Sequence, residues 1–209
     1  MIGSMIEGMV RSAGISQPEM RDRILDSAES MFRRFGYLKV TVADIAHDLG
    51  MSPANVYRFF DSKATLRQTM AARLTGQVEE ACRNAAQAPG SVSERMSAML
   101  VEYHRMTLDR YIISANVHEM LGVAMMENWQ VINVHAQRMQ EIIRGLIDEG
   151  VESGEFKVRD AECAARMYYY AICVFIDPTH VARLFLDDGM TQVAEMNAFL
   201  LGALKSGNI

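Results

Sequence analysis

Within one short stretch, Asn55, Tyr57, Arg58 and Lys63 bring together an amide, a phenol, a guanidinium and an ammonium group. That mixture suits neither metal ligation nor nucleophilic catalysis. An amide and a guanidinium carry the paired donors and acceptors that match base edges in a major groove, while hydroxyl and ammonium groups suit phosphates. Pro53 and Ala54 beside them are small, which lets a helix sit deep in a groove. The other candidates for chemistry are scattered. His47, His104, His118, His135 and His180 fall on separate segments, and the adjacent His118 and Glu119 do not make a ligand set, so no metal is expected. Cys82, Cys163 and Cys173 have neither metal nor redox spacing. Buried reduced thiols are the expectation, the alternative being a redox sensor, which needs an exposed and electropositive site. No serine elbow, phosphate loop, dinucleotide fingerprint or paired Cys and His occurs, and no catalytic residue or cofactor is expected.

The elements that must position the polar stretch can be read from its flanks. Thr41 and Asp44 form a capping-box pair for a short helix that turns Ile45, Ala46 and Leu49 inward. Gly50 then ends it, because glycine takes the left-handed conformation without steric cost. Ser52 is an N-cap and Pro53 fits the first helical position, opening a second short helix from about Pro53 to Phe59. Val56 and Phe60 point inward and leave Pro53, Ala54, Asn55, Tyr57 and Arg58 outside. Asp61 or Ser62 caps a further helix and leaves Lys63 in its first turn. The helix dipole disfavours a cation there, and a phosphate beside Lys63 and the free amides offsets this. A hairpin that merely packs has the same spacing, but it would carry apolar residues where Asn55 and Arg58 stand.

Taken with ILDSAESMFRRFGY before it, the Thr41–Gly50 segment and NVYRFFDSKATL resemble the amino-terminal domain of TetR-family transcriptional regulators over roughly residues 19 to 70. The resemblance rests on a Phe-x-x-x-Gly-Tyr exit from the first helix, an Ile-Ala-x-x-Leu-Gly second helix and Val-Tyr-x-x-Phe-x-Ser-Lys leaving the third. It implies that Thr41, Tyr57 and Lys63 hold phosphates of a double-stranded DNA operator, and that Ala43, Pro53, Ala54, Asn55 and Arg58 face the bases. Ser52, the cap between them, joins the DNA-binding set. Many members carry lysine where this chain has Pro53 and histidine where it has Phe59, which implies weaker anchoring to the DNA backbone here.

Composition agrees with a globular chain of two parts. Its 209 residues are half hydrophobic and 22% charged, with a net charge of -5. Residues 1–73 hold ten Lys and Arg against eight Asp and Glu, and the remainder eleven against eighteen. The acidic remainder is expected to stay off DNA. The segment 1–17 reads as a flexible arm, 18–66 as the helix-turn-helix domain and 67–209 as a second, helical domain. Neither a signal-peptide pattern nor an apolar run of the ~18 residues a membrane span needs is present, which makes the cytoplasm the expected compartment.

Beyond Lys63 the apolar residues recur at three- and four-residue steps, so the fold class is all-α, with about nine or ten helices. A long helix is expected from Ser62 to about Ala86, ended by Ala88-Pro89-Gly90. Another follows from Ser91 to about Asp109, then a short one holding Val117, Met120, Leu121 and Met125, and a long one from Asn128 to about Ser153. The last two long helices, about 160–176 and 190–204, carry wide apolar faces that include Met167, Tyr170, Phe175, Phe199 and Leu200. A homodimer built on them buries that surface and sets two reading helices roughly 34 to 36 Å apart. By architecture this half resembles the TetR-family carboxy-terminal domain, which implies a small-molecule effector. Seventeen methionines suit an adaptable apolar pocket or ordinary core filling. Met99, Tyr103, Met125, Trp129 and Tyr168 are the expected ligand-binding residues, and an apolar effector the expected ligand. The expected function is a ligand-responsive repressor. The rivals are an adaptor that has lost DNA reading and a helical enzyme acting on an apolar substrate.

Overall fold

The computed structural model describes residues 16–36, 38–109, 123–124, 127, 129–178, 180–181 and 189–207. Among them lie eight helices and no strand: α1 (Gln17–Phe35), α2 (Val42–Asp48), α3 (Pro53–Tyr57), α4 (Lys63–Ala86), α5 (Val92–Thr107), α6 (Gln130–Glu152), α7 (Ala161–Ile176) and α8 (Gly189–Ser206). Apart from residues 123–124, the expected short helix through Val117 and Met125 lies outside the described residues, as does most of the expected arm.

Local chemistry accounts for most of these boundaries. Ser16, Thr41, Ser52, Ser62, Ser91 and Asp160 each accept a hydrogen bond from a first-turn amide of the helix that follows. At Thr41 and Ser91 the bond is reciprocated by Asp44 and Glu94, completing two capping boxes. These bonds hold both carboxyls below their ordinary range, the Thr41 hydroxyl acting first on Asp44 and the Ser91 amide first on Glu94. α3 stops at Tyr57, two residues before the expected end. The Arg58 and Phe59 amides reach back three residues, to Asn55 and Val56, and tighten the chain out of the helix.

Two apolar clusters divide the molecule. The first joins Ile24, Ala28 and Phe32 of α1, Ile45 and Ala46 of α2, Val56 and Phe60, and it continues up α4 through Leu66, Met70 and Leu74. Trp129, at the start of α6, packs into this same cluster. The second collects Val78 and Cys82 of α4, Met96, Met99 and Leu100 of α5, Met139 and Ile143 of α6, and Tyr168 and Ile172 of α7, closed by Val193 and Leu204 of α8. α4, at 24 residues about 36 Å long, therefore runs through both cores. Gly150 on α6 admits the ring of Phe156, since a Cβ there would lie 2.2 Å from it.

Candidate nucleic-acid interface and internal cavity

The turn between α2 and α3 is made by Gly50 at φ +65°, a backbone conformation that other residues adopt only with strain. Met51 then donates its amide to Ala46, and Ser52 starts α3. Val56 and Phe60 are fixed in the first core at 1% and 2% exposure, and this orients everything else on α3. Ser52, Pro53, Ala54, Asn55, Tyr57 and Arg58 are all exposed, as are Thr41 and Ala43 on α2. Lys63 is half-buried in the first turn of α4. Partial burial, followed by the neighbouring Arg67 charge, lowers its ammonium pKa against the pull of Asp44. All nine residues expected at a nucleic-acid surface thus lie on α2, α3, the residues that cap them and the start of α4.

Arg21 braces this unit from α1. Its guanidinium donates to the Phe59 carbonyl at 2.6 Å and lies 4.2 Å from the centroid of the Phe60 ring. Ser27 donates to Asp48 at 2.6 Å, tying α1 to the end of α2. A rigid three-helix base under an exposed small and polar face can seat α3 in a groove without reorganising it.

The described residues of the expected ligand set lie in different parts of the molecule. A cavity of about 90 Å³ opens between Thr75 and Val78 of α4, Tyr103 of α5, Ile132 and His135 of α6, and Tyr169, Cys173 and Ile176 of α7, with Asp177 and Pro178 beside them. Of the described members of the expected set, only Tyr103 borders it. Met99 is fully buried in the second core, Trp129 packs in the first with its indole donating to Glu127 at 2.8 Å, and Met125 lies outside the described residues. Tyr168 donates to Asn197 at 2.5 Å, and Asn197 in turn donates to Ser97 at 2.7 Å, a buried tie between α7, α8 and α5. Helical periodicity identified inward residues but could not say which of them stop short of one another.

Sequence reasoning missed a buried polar chain at the cavity edge. Tyr103 Oη lies 2.6 Å from His135 Nε2, His135 Nδ1 lies 2.9 Å from Glu79, and the other Glu79 oxygen accepts from Arg138 at 3.1 Å. Burial raises the Glu79 pKa, but the bonds to His135 and Arg138 outweigh it and hold the carboxyl below its usual value. As an ionised carboxylate only accepts, His135 donates from Nδ1. Glu79 as the one charged residue among the buried residues of α4 was the signal available.

Burial pushes the Cys82 thiol up to about 12. Cys163 and Cys173 are half-buried rather than buried, because they flank the inward stripe of Ala164, Ala165, Tyr168, Tyr169 and Ile172 on α7. Phe175, expected among the apolar residues that a dimer buries, is 5% exposed and packs inward with that stripe. Met167, Tyr170 and Phe199 stay on the outside at 45%, 57% and 73% exposure. Among the described residues no group of three metal-ligating side chains occurs, and no helix is long and apolar enough to cross a membrane.

Comparison with known proteins agrees with both halves. Residues 24–70 match the model of bacterial regulatory proteins of the tetR family, and residues 92–195 that of the tetracyclin repressor-like C-terminal domain. The chain is 22% identical over 179 residues to the fatty acid metabolism regulator protein of Bacillus subtilis, covering 85% of this chain and 90% of that one. It is 31% identical over 134 residues to the HTH-type transcriptional regulator BetI of Brucella suis, covering 61% of this chain and 59% of BetI. A transcriptional regulator from Cytophaga hutchinsonii has the same fold, with a TM-score of 0.70 at 16% identity over 88% of this chain and 97% of its own. With a helix-turn-helix head, an all-helical second half and a family match to each, the chain belongs to the TetR family of DNA-binding transcriptional regulators.

Proposed function

We propose that this protein is a homodimeric repressor that binds a near-palindromic operator and leaves it when a small, largely apolar molecule enters the cavity beneath α4. Thr41, Ser52, Tyr57 and Lys63 hold phosphates, while Ala43, Pro53, Ala54, Asn55 and Arg58 meet base edges. The exposed apolar residues Met167, Tyr170 and Phe199 on α7 and α8 form the two-fold contact that spaces the two heads about one DNA turn apart.

The observation that carries this reading is the position of the cavity. Thr75 and Ile132 border it, yet Leu74, one residue before Thr75, lies in the first core, and Ile132 packs against that core. An occupant that parts α4 from α6 must move the base on which α3 stands. Effector and operator then favour different spacings of the heads, and each weakens the other by the same factor.

Selection of bound duplexes from a random pool tests the first half. A near-palindrome preferred over its scrambled version by about 10³ or more is expected, and no enriched sequence would remove the DNA-reading function. Unchanged operator affinity at saturating effector would remove the coupling.

A further inference from the structure

Glu79 stands one turn beyond Thr75, a residue of the cavity wall, on the helix that runs through both cores. Its two oxygens take His135 at 2.9 Å and Arg138 at 3.1 Å, so one carboxylate of α4 grips two side chains of α6. His135 carries the link on to Tyr103 of α5, whose hydroxyl lies 2.6 Å from the imidazole and whose ring stands edge-on to it at 74°. Tyr103 and His135 both line the cavity. Glu79, His135 and Tyr103 are 4%, 7% and 7% exposed, so this tie closes the seam between α4 and α6 beside the cavity and out of reach of water.

A tie of this kind resists stretching. Hydrogen bonds weaken steeply once distance and angle leave their narrow range, and a buried carboxylate that loses a partner bears the full cost of its desolvation. We infer that Glu79 and His135 are positioning residues for operator binding: their bond latches α4 to α6 with the head in its operator-binding place, and an occupant of the cavity releases the head by breaking that bond. Once it breaks, Glu79 follows Arg138, whose side chain is 55% exposed, toward water. α4 then has two favoured positions instead of a continuous range, the kind of element through which two distant sites can bias one another. Both latched helices reach the head, since Leu66, Met70 and Leu74 of α4 lie in the first core and Val131 and Ile132 of α6 pack against it. The inference rests on the proposed coupling of cavity to operator, and it names the contact that carries that coupling.

Two substitutions in the full chain, made singly and together, test the latch by fluorescence anisotropy on the duplex chosen from the random pool. Cys173→Phe places a ring in the cavity from α7 as a fixed occupant, because Cys173 lines it. Glu79→Gln keeps the length of the side chain and removes the charge that holds His135 and Arg138. Each alone is expected to weaken operator binding about tenfold, a usual size for coupling between sites. Together they should weaken it little more than either does, since the occupant finds no latch left to break. A double variant weakened by the full product, about a hundredfold, would overturn the inference and leave the regulatory reading standing. A Glu79→Gln chain that binds as the parent does would do the same. Parental affinity in Cys173→Phe would instead remove the coupling on which both rest. Urea midpoints taken alongside separate the latch from stability, because loss of a merely structural bond lowers the midpoint and leaves the effect of Cys173→Phe at full size. Should Glu79→Gln fail to fold, Tyr103→Phe cuts the chain at its other end by dropping one hydroxyl, with the same lack of additivity expected. Cys173→Leu, a smaller filling, stands in for Cys173→Phe on the same terms.

Discussion

Arg58 and Asn55 are exposed on a helix whose inward residues are nearly closed to solvent, so replacing either by alanine removes a polar group without opening the core. In the proposed role each loss should cost about 1–3 kcal/mol of operator binding and relax preference at one base position, with folding stability unchanged. Equal affinity for the selected duplex would take that residue out of the interface. Glu79 presents the opposite case, a charge inside the molecule. Its carboxyl titrates below the ordinary value of 4.5, so its contribution to stability is present above about pH 4.5 and is lost as pH falls through the lower, folded value. Glu79→Gln should therefore lower stability at neutral pH and flatten the acid limb of the stability curve, read by urea unfolding at a series of pH values. A variant with the same acid slope as the parent would remove Glu79 from that account.

At the level of elements, two glycines permit different things. Gly50 needs no space, since a Cβ there meets nothing within 4 Å, but its φ of +65° strains any other residue. Gly50→Ala should cost about 1–2 kcal/mol through the backbone alone. Gly150 is an ordinary helical residue whose Cβ would lie 2.2 Å from the Phe156 ring. Gly150→Ala should cost about 1–3 kcal/mol by overpacking, and trimming Phe156 to leucine should recover part of it. Denaturant midpoints of the three variants check both. The caps of α2, α3, α4, α5 and α7 were legible because each depends on residues three apart in the chain. The early end of α3 was not legible, since three-residue bonds at Arg58 and Phe59 leave no mark in residue type.

For the whole molecule, Phe199 is the exposed residue that matters, a large apolar ring 73% open on the outer side of α8. In the proposed dimer it is buried by the second copy. Phe199→Asp should yield a folded monomer by sedimentation, with operator affinity falling far more than any single phosphate contact would account for, because the two half-sites are no longer bridged. A dimer that persists in this variant would move the contact elsewhere.

By itself the sequence determined the helix-turn-helix, the long α4 and the all-helical second half. Capping pairs, Gly50 and the three- and four-residue apolar steps act over one or two turns, and that range is written in neighbouring residues. Only the tertiary structure decided which inward residues meet. It placed Trp129 in the first core, away from the residues that line the cavity, turned Phe175 inward, and joined Tyr103, His135 and Glu79 from three helices into one polar chain beside the cavity. Such contacts depend on the offset and rotation of packed helices, which follow from how whole faces interlock. The period of a single helix says which side is buried and leaves open what it is buried against.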